Sequence, residues 1–184
     1  DPQTIRHAGG NGGDGVDLEA FDSLDERQLQ GGIDAIVVCG TTGEAATLSY
    51  NERMALIERC VRAVDRRVPV IAGSGTNSTA SSIALSKAAQ SAGVDALLTV
   101  TPYYNKASQS GLVQHFSAIA DAVDVPVILY NVPARTGIGC TVQTYQALAK
   151  HPNIVGVKEA SDNFDLIQDT LNLCPPGFTV WSGN

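Results

Sequence analysis

Short apolar runs recur along the chain at nearly regular intervals, and a stretch with helical spacing separates each from the next. The runs are Asp34–Gly40, Val68–Ser74, Asp95–Thr101, Val125–Asn131, Ile154–Lys158 and Phe178–Gly183. Several are rich in Val and Ile and lack polar alternation, which is typical of parallel strands covered on both faces. Measured at the expected strand ends, successive units lie 24 to 33 residues apart, the length of a strand–helix unit; these ends are Gly40, Gly73, Thr101, Tyr130, Lys158 and Ser182. The pattern predicts an α/β fold, and the spacing alone leaves both a barrel and a doubly wound sheet open.

The intervening segments carry helix signals. Ser49 and Glu52 have the spacing of a capping box, and apolar residues from Leu56 onward fall on one face of the helix that follows. Further helices are predicted at 17–30, 78–92, 110–123, 141–150 and 163–175.

Composition restricts the function. The 184 residues suit a single domain, and the net charge of -7 disfavours nucleic acid as a partner. No two of the four cysteines form a CxxC pair. Cys39 lies inside an apolar run and Cys60 on an apolar helix face, so buried free thiols and a reducing, cytoplasmic location are expected. The three histidines have no metal-type spacing, so no metal is expected. No apolar run is long enough to span a bilayer, so no membrane association is expected.

Residues 1–16 break the periodic pattern. They contain five glycines and no apolar run, which predicts a loop or arm ahead of a catalytic domain at 17–184.

Lys158 is the strongest candidate for chemistry. It ends an apolar strand, and active sites of parallel α/β folds gather at the carboxyl ends of their strands. Partial burial there favours the free amine, which attacks a ketone to give an imine. From position alone, a solvated lysine at a strand end is the commoner arrangement.

Other candidates lie at the ends of neighbouring runs. Tyr130 could relay protons or simply pack, and the turn at 40–44 exposes backbone N–H groups and two threonines that could hold a carboxylate. Arg135 could bind a carboxylate in a bidentate way, and the pair Tyr103–Tyr104 could form a site wall or an interface. A glycine-rich loop at 73–78 is a weak match to a dinucleotide-binding loop.

Together these segments resemble the dihydrodipicolinate synthase family, whose wider group includes N-acetylneuraminate lyase and other pyruvate-dependent aldolases. The motifs are GTTGEAATL (40–48), VTPYYNKASQSG (100–111), ILYNVPARTG (128–137) and GVKEAS (156–161). The resemblance implies a carbon–oxygen lyase of lysine and diaminopimelate biosynthesis with a (β/α)8 TIM barrel. It also implies no cofactor and assembly as a homotetramer.

The resemblance also assigns roles to residues. Lys158 would form a Schiff base with pyruvate, and Thr41, Tyr104 and Tyr130 would form a proton relay, with Tyr104 inserted from a neighbouring subunit. Thr42 would bind the pyruvate carboxylate, Arg135 would bind L-aspartate 4-semialdehyde, and Gly183 would be a further substrate-binding residue.

The pattern accounts for about six of the eight strands, so an incomplete barrel without the family's first and eighth strands is expected. Two alternatives remain. One is another pyruvate-dependent aldolase, acting on N-acetylneuraminate or a 2-keto-3-deoxy sugar acid, and the other is an inactive fragment of the synthase.

Overall fold

The structure, a computed structural model, describes residues 15–183 and contains one parallel sheet with helices packed against it. The strands are β1 (Ile36–Val38), β2 (Val70–Gly73), β3 (Ala96–Val100), β4 (Val127–Asn131), β5 (Ile154–Glu159) and β6 (Thr179–Ser182). The helices are α1 (Leu18–Gln30), α2 (Tyr50–Val64), α3 (Thr79–Ser91), α4 (Gln109–Ala120), α5 (Pro133–Thr136), α6 (Val142–Leu148) and α7 (Phe164–Leu173).

The strand order identifies the architecture. All five pairings are parallel and the order is β1-β2-β3-β4-β5-β6, so each strand lies beside the next one in the chain. In a doubly wound sheet the order of the strands reverses at a switch point, whereas in a (β/α)8 barrel each strand lies beside the next one in the chain. The six strands therefore form part of a TIM barrel, as predicted, with β1 and β6 at the edges of the described sheet.

The main core lies between the sheet and the helices. Strand residues such as Leu97, Val127 and Val157 are fully buried against helical residues such as Cys60 and Phe116. Cys39, Cys60 and Cys140 are buried free thiols, as predicted for the first two.

Local signals in the sequence explain where the helices begin. Ser49 and Glu52 form the predicted capping box, and Ser78, Ser108, Thr141 and Asn163 each accept a backbone hydrogen bond at the start of a helix. Five of the six strands begin one or two residues after the predicted runs, because flanking residues such as Val68 and Pro69 belong to the connections, and β5 begins at Ile154 as predicted.

Most of the predicted amino-terminal arm, residues 1–14, lies outside the described residues. Val16, its last residue, is half-buried and packs against the core. Across residues 15–183, no helix is both long and apolar enough to cross a membrane.

Replacement of Ser49 by Ala removes the hydroxyl that accepts the Glu52 N–H in the capping box, and it leaves the bond from the backbone N–H of residue 49 to the Glu52 carboxylate. We expect the free energy of unfolding, measured by urea denaturation, to fall by about 1 kcal/mol. Ser91→Ala is the matched control, because that exposed hydroxyl donates only to the carbonyl of Lys87 in the last turn of α3. Equal losses for the two variants would contradict the capping role.

Asp25 on α1 is a buried carboxylate whose Oδ2 lacks a partner among the described residues. Burial raises its pKa from 3.8 to about 6; contact with the Cys60 thiol lowers it and the charge of Asp22 raises it further. Because the folded-state pKa is above its unfolded value, the neutral form stabilises the fold. That contribution is present below pH 4 and is lost as the pH rises toward 6.

Asp25→Asn should abolish this loss. The difference in unfolding free energy between Asp25→Asn and the unmodified chain is predicted to shift in favour of the variant between pH 4 and 7, by up to about 3 kcal/mol. A difference that does not change with pH would show that Asp25 ionises normally in the folded chain. Taking the difference cancels the contributions of the other carboxylates.

Candidate active site

The carboxyl ends of β4 and β5 bring two of the predicted residues into contact. Tyr130 pairs with Lys158 in the register of these strands, and the Lys158 Nζ lies 4.5 Å from the centroid of the Tyr130 ring. An ammonium over an aromatic face is stabilised by the ring quadrupole. Lys158 is half-buried, so its amine is held against Tyr130 yet remains reachable from solvent.

A one-residue register shift creates that pairing. Val127 pairs with Ile154, but the next residue, Ile128, pairs with Gly156, which leaves Val155 as the extra residue of β5. Without the shift, Tyr130 would lie opposite the residue before Lys158. Gly156 is required here, since a Cβ at this position would lie 2.1 Å from the carbonyl oxygen of Thr179 on β6.

The turn after β1 presents unused donors. Within residues 40–44, the N–H groups of Gly43 and Glu44 close the turn onto the carbonyls of Gly40 and Thr41. In the described part of the chain, the N–H and hydroxyl groups of Thr41 and Thr42 have no hydrogen-bond partner, and both residues are exposed. Such a turn can hold an anion such as a carboxylate.

Two adjoining cavities open beside these groups. The larger, about 650 Å³, is lined by five of the candidate residues, Thr41, Tyr103, Tyr104, Tyr130 and Arg135. The smaller, about 320 Å³, is lined by Thr41, Thr42 and Lys158. Thr41 belongs to both cavities, and Tyr130 lines the larger one while its ring contacts Lys158, so these two residues connect the amine to the larger cavity.

Arg135 and Tyr104 lie on the outer wall of the larger cavity. Arg135 belongs to α5, a helix that the sequence analysis did not predict; Pro133 begins it and Gly137, with a φ of 73°, ends it. The Tyr104 N–H donates to the Thr136 carbonyl, which fixes the Tyr104 loop to α5. The Tyr104 side chain is 90% exposed, so it makes little contact with its own chain.

Gly183 lies at the end of β6, close to the end of β5. Its N–H donates to the carbonyl of Glu159 at 2.8 Å, and a Cβ would lie 2.6 Å from the Cβ of Ala160. A side chain at this position would therefore push the two strand ends apart.

The glycine-rich loop and the Cys39 thiol near the site are explained by packing and burial, without nucleotide binding or nucleophilic catalysis. A Cβ on Gly73 or Gly75 would lie 2.0 Å from the Cys39 carbonyl oxygen or 2.4 Å from the Val100 nitrogen, so close strand packing explains these glycines without a nucleotide. Burial raises the pKa of the Cys39 thiol to about 11, so it stays protonated and is a poor nucleophile near neutral pH. No cluster of three potential metal ligands occurs in residues 15–183.

Sequence reasoning missed a buried polar group beside the lysine. Glu159 is 3% exposed, and its carboxylate accepts hydrogen bonds from the Tyr145 hydroxyl at 2.6 Å and from the Asn131 amide at 2.8 Å. The only available signal was a charged residue directly after an apolar strand, and that signal does not identify the partners.

Replacement of Gly183 by Ala tests the close approach of β5 and β6. We expect it to reduce the free energy of unfolding by about 1–3 kcal/mol, the usual cost of overpacking, in urea denaturation. Gly43→Ala is the control, because its added Cβ would meet only the Gly40 carbonyl oxygen at an ordinary 3.5 Å. A Gly183→Ala chain as stable as this control would contradict the predicted clash.

The chain matches the model of the dihydrodipicolinate synthetase family over residues 11–184. It is 52% identical over 169 residues to the 4-hydroxy-tetrahydrodipicolinate synthases of Exiguobacterium sibiricum and Geobacter sulfurreducens, covering 92% of this chain. It spans only 58% of the length of these relatives.

Solved structures agree with the sequence relatives. The 4-hydroxy-tetrahydrodipicolinate synthase of Methylacidiphilum fumariolicum SolV superposes with a TM-score of 0.92 at 42% identity, covering 98% of this chain and 59% of that one. A dihydrodipicolinate synthase from Acinetobacter baumannii, solved in complex with pyruvate, gives a TM-score of 0.89 at 46% identity and covers 92% of this chain and 58% of that one. By sequence and by fold, the chain belongs to the dihydrodipicolinate synthetase family.

Proposed function

We propose that this chain carries the imine-forming site of a 4-hydroxy-tetrahydrodipicolinate synthase, a lyase that condenses pyruvate with L-aspartate 4-semialdehyde. The observation that carries the proposal is the placement of the Lys158 amine over the Tyr130 ring at the end of β5, beside the free donors of the turn after β1. The family supports it, as does the pyruvate bound to the related Acinetobacter baumannii enzyme.

The first step forms a bond between Lys158 Nζ and the ketone carbon of pyruvate. The neutral amine supplies the electron pair, the ketone oxygen takes up a proton, and loss of that oxygen as water leaves a C=N bond. The pyruvate carboxylate would bind the N–H and hydroxyl groups of Thr41 and Thr42, with Gly183 at the adjoining strand end. Tyr130 lies against the amine and would exchange the protons.

The second step builds the product. Loss of a methyl proton converts the imine to an enamine, whose carbon attacks the aldehyde of aspartate 4-semialdehyde. The amino group of that substrate then closes the ring onto the former ketone carbon and displaces Lys158. Arg135, exposed on the wall of the larger cavity, would bind the carboxylate of this substrate with its two parallel donors. The scheme needs no metal or organic cofactor.

Tyr104 would complete the proton relay with Thr41 and Tyr130, but in a second copy of the chain. A tyrosine with 90% of its surface exposed and a left-handed backbone, at a φ of 75°, has few contacts to hold it in its own site. We therefore propose a homo-oligomer in which each copy offers Tyr104 to another.

Another pyruvate-dependent aldolase would share the imine chemistry but accept a sugar-type aldehyde. The free Thr42 donors and Arg135 favour the smaller, carboxylate-bearing aldehyde. A screen of purified protein with aspartate 4-semialdehyde and with N-acetylmannosamine separates the two, since only the true aldehyde partner consumes pyruvate.

Trapping with borohydride tests the proposal directly. When the folded chain is incubated with pyruvate and borohydride, peptide mass spectrometry should find one reduced pyruvate on Lys158. Lys158→Met should abolish the adduct, whereas Lys87→Met, a change on the exposed face of α3, should leave it intact. A folded chain that gives no adduct, or one attached to another lysine, would refute the imine chemistry.

A further inference from the structure

A buried hydrogen-bond network lies behind Lys158. The Glu159 carboxylate accepts one bond from the Tyr145 hydroxyl and one from the Asn131 side-chain amide, and the Asn131 Oδ1 accepts a third from the Cys140 N–H at 3.1 Å. All four residues are at least 94% buried. The network therefore joins the ends of β4 and β5 to helix α6, which carries Tyr145.

The Glu159 carboxylate is stabilised by hydrogen-bond donors, and none of the described ion pairs involves it. A buried carboxylate with such donors is stable only when they are all in place, and removal of one leaves an uncompensated polar atom. Burial, followed by the Cys140 thiol and the Glu159 charge, raises the pKa of Tyr145 well above its usual range. Tyr145 therefore stays protonated and donates at every working pH.

The network lies on the opposite face of the sheet from the proposed site. Asn131 directly follows Tyr130, Glu159 directly follows Lys158, and each residue pairs with its counterpart across β4 and β5. Since alternate residues of a strand point to opposite faces, fixing Asn131 and Glu159 on the helix side fixes Tyr130 and Lys158 on the other.

The backbones of Glu159 and Asn131 also hold neighbouring strand ends, β6 through Gly183 and β5 through Ala160. The Glu159 carbonyl accepts the Gly183 N–H, and the Asn131 carbonyl accepts the Ala160 N–H, both at 2.8 Å. The ends of β4, β5 and β6, which carry the proposed pyruvate contacts other than those of the turn at 40–44, are thus held together by bonds of Glu159 and Asn131.

We infer that Tyr145 and Glu159 are positioning residues for Lys158, which hold the end of β5 so that the amine stays against Tyr130 and in reach of the bound ketone. The inference rests on the proposed function, because it concerns the same amine. A misplacement of about 1 Å costs about a hundredfold in rate, so losing one bond of this network should slow imine formation without removing the lysine.

Tyr145→Phe tests the inference, because it deletes the hydroxyl and keeps the ring packed. The labelling of Lys158 by pyruvate and cyanoborohydride is followed over time for the unmodified chain and the variant, at saturating pyruvate. We expect the rate constant to fall about tenfold while the final labelled fraction stays complete. A purely structural role would instead lower the labelled fraction, through loss of folded protein, and leave the rate constant unchanged.

Thr170→Val is the matched control. Thr170 is also buried, and its hydroxyl donates only within α7, to the Leu166 carbonyl. Its loss should destabilise the fold without changing the labelling rate constant. An equal slowing in Thr170→Val and Tyr145→Phe would overturn the inference, as would an unchanged rate constant in Tyr145→Phe.

Glu159→Gln provides a second variant, should Tyr145→Phe fail to fold. The glutamine oxygen can still accept one bond, so partial slowing is expected, and an unchanged rate constant again overturns the inference. In the double variant, the fold-reduction of the labelling rate constant should be smaller than the product of the two single fold-reductions, because both residues act through one network.

The unmodified chain separates the two proposals. If it gives no adduct, the proposed function is wrong and the positioning role falls with it. If it is labelled and the variants are labelled at the same rate, only the positioning role is wrong.

Discussion

The register of β5 against β4 is the constraint on which the rest of the site depends. The extra residue at Val155 shifts every later pair by one position, which places Lys158 beside Tyr130 and Glu159 beside Asn131. In a sheet, a slip of one residue turns every side chain to the other face. The same shift therefore supplies both the amine over the aromatic ring on one face and the buried carboxylate network on the other.

Much of the fold could be predicted because its signals are local. Capping residues such as Ser49 and Asn163 mark helix starts by bonding within three residues, and continuous apolar runs mark buried parallel strands. Lys158 and Tyr130 were predictable as strand-end residues, and the family motifs supplied their roles. What the spacing could not decide, a barrel or a doubly wound sheet, depends on which strands pair, and the structure settles it through the sequential strand order.

The missed features depend on contacts that no local pattern encodes. The Tyr145–Glu159 bond joins α6 to β5, and a tyrosine in an amphipathic helix gives no indication of which carboxylate it meets. The bulge at Val155 arises from pairing with β4. Gly156 is the signal within β5, but a glycine in a strand indicates a bulge or a close backbone approach without deciding between them. The buried Asp25 resembles any acidic residue of an exposed helix until α1 is packed against Cys60.

The proposed site draws all its residues from the six described strands and the segments that follow them. The residues assigned to pyruvate lie at the ends of β1, β4, β5 and β6, and the network behind Lys158 uses β4, β5, α6 and Cys140 just before α6. The most direct test is a crystal structure of the chain after incubation with pyruvate and reduction of the imine with borohydride. If Lys158 forms the imine, the map should show continuous density between Lys158 Nζ and the former ketone carbon, with the carboxylate on Thr41 and Thr42. A free Lys158 amine directed away from Tyr130, or a carboxylate bound elsewhere, would contradict the proposed site.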